Sequence, residues 1–176
     1  KASARTPETA AQLSASAHRM REVEWHFCHE LTLSTGPKHL PRGLFKSLVD
    51  KAESIDCRTC GRCCRQLTPV LTKSDVERLA KRVNMSQGDL IQTYLRKATD
   101  FSGYVLKKRP CPFLKGNLCS VYDSRPQTCR SYPHLHKEEI LGNPVLSFQN
   151  TLICPMVFVI IDGLRTALES KGTNPR

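Results

Sequence analysis

Apolar residues recur every three or four positions along much of the chain, and this period is typical of helices that bury one face. The first such stretch predicts one long amphipathic helix over roughly residues 7–32, with Thr6 as its N-cap and Pro7 in its first turn. A second amphipathic helix is predicted near 42–54. The N-terminal part of the chain is therefore predicted to be helical.

The same period continues toward the C-terminus. Three more helices are predicted, at about 73–84, 87–97 and 155–169. Thr72 and Ser86 are each followed three residues later by an aspartate, which is typical of a helix start. Two short strands, on either side of a Gly-Asn turn, are predicted at 103–108 and 118–122. The pattern as a whole predicts a mainly α fold with short β segments.

The composition is ordinary for a globular protein, with 39% hydrophobic and 24% charged residues, except that it includes nine cysteines. The longest apolar run, residues 155–161, is followed by Asp162 and falls far short of the ~20 residues of a membrane span. No secretory signal pattern is visible at the start. We therefore expect a globular chain without a membrane span, and the cysteines carry the chemistry.

Four of the nine cysteines fall within eight positions: Cys57, Cys60, Cys63 and Cys64. Disulfides are one reading, but adjacent cysteines can hardly bridge each other without strain, and the long helices supply a core that disulfide-dense miniproteins lack. Buried inert thiols are a second reading. Metal ligation fits better, because thiolates three residues apart can converge on one ion as the backbone turns around it. Four cysteines here and four further along would serve two four-thiolate sites or one binuclear cage.

The spacing bears on which metal is bound. Zinc accepts paired C-x2-C elements in a closed tetrahedral site. Iron–sulfur clusters favour C-x2-C-x2-C with a distant fourth cysteine, often followed by proline. Cys57, Cys60 and Cys63 match the second pattern, and both Cys111 and Cys154 precede a proline. The spacing slightly favours an iron–sulfur cluster over zinc.

Histidines near cysteines are weaker candidates. His26, Cys28 and His29 lie together on the first predicted helix, but Cys28 would point away from His26. A ligand trio is therefore geometrically poor. His134 and His136 follow Cys129 closely, and a solvated loop explains them better than a role as replacement ligands.

The charge of the chain is strongly basic. Lysine and arginine number 27 against 16 aspartates and glutamates, a formal excess of +11. If eight cysteines became thiolates around two dications, the excess would fall to about +7. Such a surface favours an acidic partner: RNA, an anionic membrane face or an acidic protein. Solubility and local compensation of thiolate charge would produce the same count.

The cysteine motifs resemble those of the CxxCxxCC proteins, a family of zinc- or iron-chelating domains. The resemblance covers about 57–155, through "CRTCGRCC", then "CPFLKGNLCSVYDSRPQTCRSYP" and a late "CP". It implies a ligand set of eight cysteines: Cys57, Cys60, Cys63, Cys64, Cys111, Cys119, Cys129 and Cys154. It also implies a supporting shell around Cys129, made of Arg125, Pro126, Arg130 and Tyr132. The family includes flagellin lysine N-methylases, which use S-adenosylmethionine and an iron–sulfur cluster.

We predict that adjacent Cys63 and Cys64 serve different centres, because neighbouring side chains diverge. The preferred partition places Cys57, Cys60, Cys63 and Cys154 on one centre and Cys64, Cys111, Cys119 and Cys129 on the other. A single cage with shared thiolates is the rival. Cys28 is predicted to be no ligand. The predicted organisation is a small domain around this centre, with a helical extension at 1–54, the metal-binding domain at 55–170 and a tail at 171–176.

The predicted function is that of a non-catalytic, cysteine-rich metal-binding module, iron–sulfur or zinc, that docks on a larger protein or ribonucleoprotein assembly. Its N-terminal helix and basic face would be the contacts. The alternative is an iron–sulfur redox enzyme or an S-adenosylmethionine-dependent protein lysine methyltransferase. The sequence has no glycine-rich strand-to-helix turn of the kind that cradles a nucleotide-like cofactor. Thiolate sites persist where thiols stay reduced, so a bacterial cytoplasm or an organelle matrix is expected.

Overall fold

The computed structural model describes residues 9–30 and 40–170 of the 176-residue chain. The described chain is mainly α-helical with short antiparallel strands, which confirms the predicted fold class. The helices are α1 Ala10–Arg19, α2 Arg21–Glu30, α3 Leu44–Glu53, α4 Cys57–Cys60, α5 Arg62–Gln66, α6 Lys73–Val83, α7 Gln87–Tyr94, α8 Gln127–Ser131, α9 Lys137–Gly142, α10 Pro144–Ile153 and α11 Pro155–Glu169. The strands are β1 Val70–Leu71, β2 Leu95–Lys97, β3 Tyr104–Leu106, β4 Leu114–Lys115 and β5 Leu118–Cys119.

The contacts divide the chain into two compact units. We call residues 1–56 and 133–176 the helical unit and residues 57–132 the cysteine unit. The boundaries at residues 54 and 170 that were predicted from sequence stay a prediction. None of the helices in the described residues is long and apolar enough to cross a membrane.

Helix α11 is the centre of the helical unit and contacts α1, α2, α3 and α10. It begins at Pro155, where the missing N–H costs nothing, and it has the predicted length. Seven of its residues are buried, and each large apolar side chain removed from water contributes roughly 1.5–3 kcal/mol. Gly163 lets α3 approach closely, because a Cβ there would overlap the Leu48 side chain.

The first helix differs from its prediction. Instead of one helix there are two, separated at Met20, whose backbone (φ −92°, ψ 8°) leaves the helical path. The bend has a packing reason, since α1 places Leu13 and Ala17 against Phe158 of α11 while α2 packs mainly on α10. The N-cap is Thr9, which exchanges hydrogen bonds with Gln12; the predicted cap at residues 6–7 lies outside the described residues.

The cysteine unit contains a three-stranded antiparallel sheet in the order β1-β3-β2, packed with α6 and α7. Thr72 caps α6 in a full capping box with Asp75, and Ser86 caps α7, as predicted. Two predictions were wrong. Helix α7 ends at Tyr94, because Leu95–Lys97 pair with β3 as a strand. Strand β5 pairs with β4 across the Gly-Asn turn, and the predicted strand at 103–108 shortens to β3 in the other sheet.

Candidate metal centre

Seven cysteines lie in the cysteine unit and two in the helical unit. Within the cysteine unit they lie on α4, on α5, before β4, at the end of β5 and on α8: Cys57, Cys60, Cys63, Cys64, Cys111, Cys119 and Cys129. All nine lie in described residues, and none of them forms a disulfide. In the helical unit, Cys28 is buried on α2, and Cys154 is buried at the N-cap of α11. The prediction that Cys154 completes a centre stays a prediction.

A left-handed glycine shapes the paired cysteine helices. Gly61 (φ +63°) ends α4 and begins α5, so the chain reverses between Cys60 and Cys63. A Cβ at Gly61 would lie 3.1 Å from the backbone oxygen of Asn117 in the β4–β5 turn. Arg65 fixes this approach, because its Nη2 donates to the Gly116 carbonyl at 2.7 Å and to Asn117 Oδ1 at 2.6 Å. The glycine thereby joins the cysteine helices to the hairpin that carries the next ligand candidates.

Cys64, Cys111, Cys119 and Cys129 lie within one another's electrostatic field. The Cys111 N–H donates to the Cys64 carbonyl at 2.8 Å, which ties the two segments together. Burial, together with the charges of the other three thiols, raises the pKa of Cys129 to about 12. Burial likewise raises the pKa of Cys111 to about 11, with Cys64 and Cys119 adding to the shift. Thiolates in this cluster repel one another, so a nearby cation would favour their ionised form.

Cys64 behaves differently from the rest of the cluster. A hydrogen bond with the Cys63 thiol lowers its pKa to about 7; burial opposes the shift, and the guanidinium groups of Arg125 and Arg65 add to it. Arg125 also favours the thiolates of Cys119 and Cys129. The cluster therefore has one thiol close to ionisation at neutral pH and one arginine that acts on three of its members.

Tyr122 holds Arg125 in place through two contacts. Its guanidinium lies 3.4 Å from the centroid of the Tyr122 ring, and its Nε donates to the Tyr122 carbonyl at 2.9 Å. The Tyr122 hydroxyl and the Cys57 thiol share a hydrogen bond at 3.6 Å. Tyr122 thus links Cys57 to the arginine beside the other thiols.

A buried carboxylate fixes the segment between Arg125 and α8. Asp75 on α6 accepts from the Gln127 N–H at 3.1 Å and from Arg78, whose Nη2 also donates to the Arg125 carbonyl at 2.9 Å. Asp75 additionally accepts from the backbone N–H of Thr72 at 3.0 Å. Although burial disfavours its charge, these hydrogen bonds hold the pKa of Asp75 below its usual range. The position of Arg125 therefore depends on the start of α6.

The donor chemistry of this cluster fits a thiolate-bound metal. The cysteines form no disulfide, burial and the charge of Cys64 disfavour the thiolate forms of three of them, and Arg125 only partly offsets this. A metal cation would supply the missing positive charge. Among the residues that the structure describes, no three His, Cys, Asp or Glu side chains are gathered in an arrangement that holds a metal ion. The partition of the cysteines between two centres stays a prediction.

The histidine candidates lie outside the cysteine unit. On α2, His26 and His29 are exposed while Cys28 is buried, and the expectation that these three form no ligand trio stays a prediction. His134 Nδ1 lies 3.5 Å from Glu139 Oε2, and His136 is the N-cap of α9.

Sequence reasoning missed three residues that shape the cluster. Tyr122 and Asn117 contact it from positions more than fifty residues away from their partners. The sequence marks Asn117 only as part of a Gly-Asn turn, and no local pattern marks Tyr122. The sequence predicts Asp75 as the partner of Thr72 at the start of α6, but not its contacts with the segment near α8. The arginine and proline preceding α8 belong to the shell that the resemblance implies. Of these, Arg125 does act on Cys129.

A family model named CxxCxxCC, described as "Putative zinc- or iron-chelating domain", matches residues 56–146. The match covers just over half of the chain and includes all seven cysteines of the cysteine unit, whereas Cys28 and Cys154 fall outside it. No curated protein and no solved structure matches the chain.

Proposed function

The chain belongs to the CxxCxxCC family of zinc- or iron-chelating domains, and we propose that it is a metal-binding module whose ligands are the thiolates of the cysteine unit. The observation that carries the proposal is the electrostatic coupling of Cys64, Cys111, Cys119 and Cys129. Burial and the charge of Cys64 disfavour the thiolate forms of the other three, and a bound cation would favour them. When bound, the metal would supply the positive charge that lets all of them ionise.

We propose an iron–sulfur cluster in preference to zinc. The support is the C-x2-C-x2-C spacing of Cys57, Cys60 and Cys63 together with the Cys-Pro pair at Cys111. Zinc would use the same thiolates in a closed tetrahedral site. Colour separates the two, because an iron–sulfur protein absorbs broadly near ~400 nm and a zinc protein is colourless.

We propose that the metal has a structural role. Helices α4 and α5 span four and five residues, well below the ~12–15 residues at which an isolated helix becomes marginally stable. Tertiary contacts such as the Arg65 hydrogen bonds must hold them, and thiolate ligation would add to those contacts. The module would then act by attaching to a larger protein or ribonucleoprotein assembly, without catalysing a reaction of its own.

The test is metal analysis of the full chain purified without oxygen. Iron, zinc and acid-labile sulfide per chain are measured for the wild type, for Cys129→Ala and for Cys28→Ala. Cys28 is the control, because it is a buried cysteine on α2 outside the family match. We expect bound metal in the wild type, a clear loss in Cys129→Ala, and unchanged metal in the control.

Two results would contradict the proposal. One is a wild-type chain without stoichiometric metal after anaerobic purification. The other is equal metal content in both variants, which would place the metal away from Cys129. A brown preparation that bleaches in dithionite would favour iron–sulfur over zinc and would keep redox chemistry as the alternative.

A further inference from the structure

Almost all of the net positive charge of the chain lies in one of its two units. The cysteine unit contains fifteen lysines and arginines against five aspartates and glutamates, an excess of ten. The helical unit contains twelve against eleven and is nearly neutral. Solubility alone does not explain this division, because it would be served equally by charge spread over both units.

Within the cysteine unit the charge concentrates on two segments that lie together. Residues 57–66 and 107–119 contain seven lysines and arginines and no aspartate or glutamate: Arg58, Arg62, Arg65, Lys107, Lys108, Arg109 and Lys115. The segments are joined by the Arg65 hydrogen bonds to the β4–β5 turn, by Arg109 Nη1 donating to the Gln66 carbonyl at 2.7 Å, and by the backbone bond between Cys111 and Cys64. We call these two segments the basic surface.

Backbone oxygens hold three of the basic side chains of this surface in place. Arg65, Lys107 and Arg109 all donate to backbone carbonyl oxygens, which orient the side chains without neutralising them. Lys108 and Lys115 are exposed. The surface therefore combines oriented guanidinium groups with exposed ammonium groups, as phosphate recognition requires.

Most of the unit's acids are already engaged away from this surface. Asp75 is buried under Arg78, Glu77 pairs with Lys81 at 2.7 Å, and Asp89 accepts from Ser86 at the start of α7. None of the three lies in a segment of the basic surface. Thiolate charge would not cancel the excess either, since seven thiolates around one dication would leave about five positive charges and around two dications about seven.

We propose that the basic surface binds the phosphate backbone of a nucleic acid without reading its sequence. The proposal deepens the docking role above and rests on it. Protein–nucleic acid interfaces are more polar and far more positively charged than protein–protein interfaces. The only large apolar side chain of this surface that stands out as exposed among the described residues is Leu118, at 57%. That is too little apolar area for an acidic protein partner, which would need a hydrophobic core to its interface, or for insertion into a membrane.

Binding is measured with the metal-loaded full chain by fluorescence anisotropy. The probes are a labelled single-stranded RNA of about 20 nucleotides, a DNA duplex of the same sequence, and poly-glutamate of matched charge. We expect both nucleic acids to bind with micromolar affinity at low salt and to weaken steeply as salt rises, by about 0.7 to 0.9 logarithmic units per decade for each phosphate contact. The two probes also distinguish RNA from DNA as the source of the phosphates.

The variant that tests the surface is Lys108→Gln/Lys115→Gln, which leaves every described hydrogen bond of the surface in place. The matched control is Lys46→Gln/Lys51→Gln on α3 in the helical unit, with the same loss of charge. Losing two phosphate contacts should lower the salt slope by about two and weaken binding roughly 10- to 60-fold at about 0.1 M salt. The control should bind as the wild type does.

A second readout needs no variant. Acetylation of lysines in the wild-type chain, with and without bound RNA, should show protection at Lys108 and Lys115 and none at Lys46 or Lys51. The proposal is overturned if neither nucleic acid binds at low salt, if poly-glutamate binds more tightly, or if surface and control variants weaken equally. Metal content is measured on the same samples, so a wild-type chain that binds nucleic acid but holds no metal would contradict the metal-binding proposal and leave this one standing.

Discussion

Glu24 on α2 is a buried carboxylate, and replacing it with glutamine should change how the stability of the helical unit depends on pH. The side chain is fully buried, and neither carboxylate oxygen has a hydrogen-bond partner within the part of the chain that the structure describes. The nearby Thr151 hydroxyl donates instead to the Phe148 carbonyl at 2.7 Å. Burial raises the pKa of Glu24 to about 7, Asp162 adds to the shift, and Thr151 and Arg165 oppose it.

The sign follows from the two states. Below pH 4.5 the carboxyl is neutral in both the folded and the unfolded chain, and its burial costs little. Between pH 4.5 and about 7 the carboxyl ionises in the unfolded chain but stays protonated in the folded chain, so the free energy of unfolding falls as pH rises through this range. A shift of this size corresponds to about 2–3 kcal/mol, allowing for some water around the charge.

Glu24→Gln keeps the size of the side chain and removes the ionisation. A buried amide adds its own constant cost, so the informative quantity is how the difference in unfolding free energy from the wild type changes with pH. Relative to the wild type, the variant should gain about 2–3 kcal/mol between pH 5 and pH 8. Glu22→Gln, on the same helix but exposed, should show no such gain.

Urea unfolding followed by tryptophan fluorescence measures this difference directly. The chain has one tryptophan, Trp25, which lies on α2 and packs edge-on against Phe148 of α10 with ring centroids 5.3 Å apart. The Glu24 charge acts on the Cys28 thiol, but burial and this charge raise the pKa of Cys28 to about 12, outside the pH range of the measurement. If the free-energy difference between Glu24→Gln and the wild type stayed constant from pH 5 to pH 8, the carboxylate would have to be hydrated or paired, and the reasoning would be refuted.

Three further predictions concern the packing of each unit. Gly61→Ala should destabilise the metal-loaded cysteine unit by about 1–2 kcal/mol in thermal unfolding, since its left-handed backbone disfavours a Cβ that would also press on the β4–β5 turn. Gly163→Ala should lower the melting temperature because the added Cβ overlaps Leu48, and Leu48→Ala in the same chain should restore part of the loss; full additivity of the two changes would contradict the contact. Asp75→Asn should cost roughly 2–4 kcal/mol in urea unfolding at neutral pH and progressively less as pH falls through the lowered pKa of that carboxyl. Glu77→Gln, which breaks an exposed pair, should cost much less than Asp75→Asn.

Elements with strong local start signals could be predicted from the sequence. Thr72 and Ser86 each accept a hydrogen bond from the N–H three residues on, and such caps contribute about 1 kcal/mol each. Pro155 begins α11, whose predicted end at Glu169 is also correct. At these positions the residue that local propensity favours at a helix start is the residue found there in the folded chain, so local and tertiary preferences agree.

Elements decided by distant partners could not be predicted. Leu95–Lys97 continue the apolar period of α7, yet they form a strand because β3 offers them a hydrogen-bonded ladder. Helix α10 was missed because its apolar residues show no single stripe, although Asn143 and Pro144 form a helix start in the sequence. A stretch without a regular apolar stripe gives no period from which a helix or a strand can be predicted.

The same distinction between local and distant causes applies to the cysteine cluster. Spacing alone marks the four cysteines of α4 and α5 as ligand candidates, because convergence within a turn is a local property of the backbone. The residues around them come from distant parts of the sequence. Tyr122 contacts Cys57, 65 positions away, and Asp75 accepts from the N–H of Gln127 at the start of α8, 52 positions away. Since the charge that stabilises the thiolates comes from Arg125, whose position depends on those two contacts, the ligand candidates could be read from the sequence while their electrostatic environment required the fold.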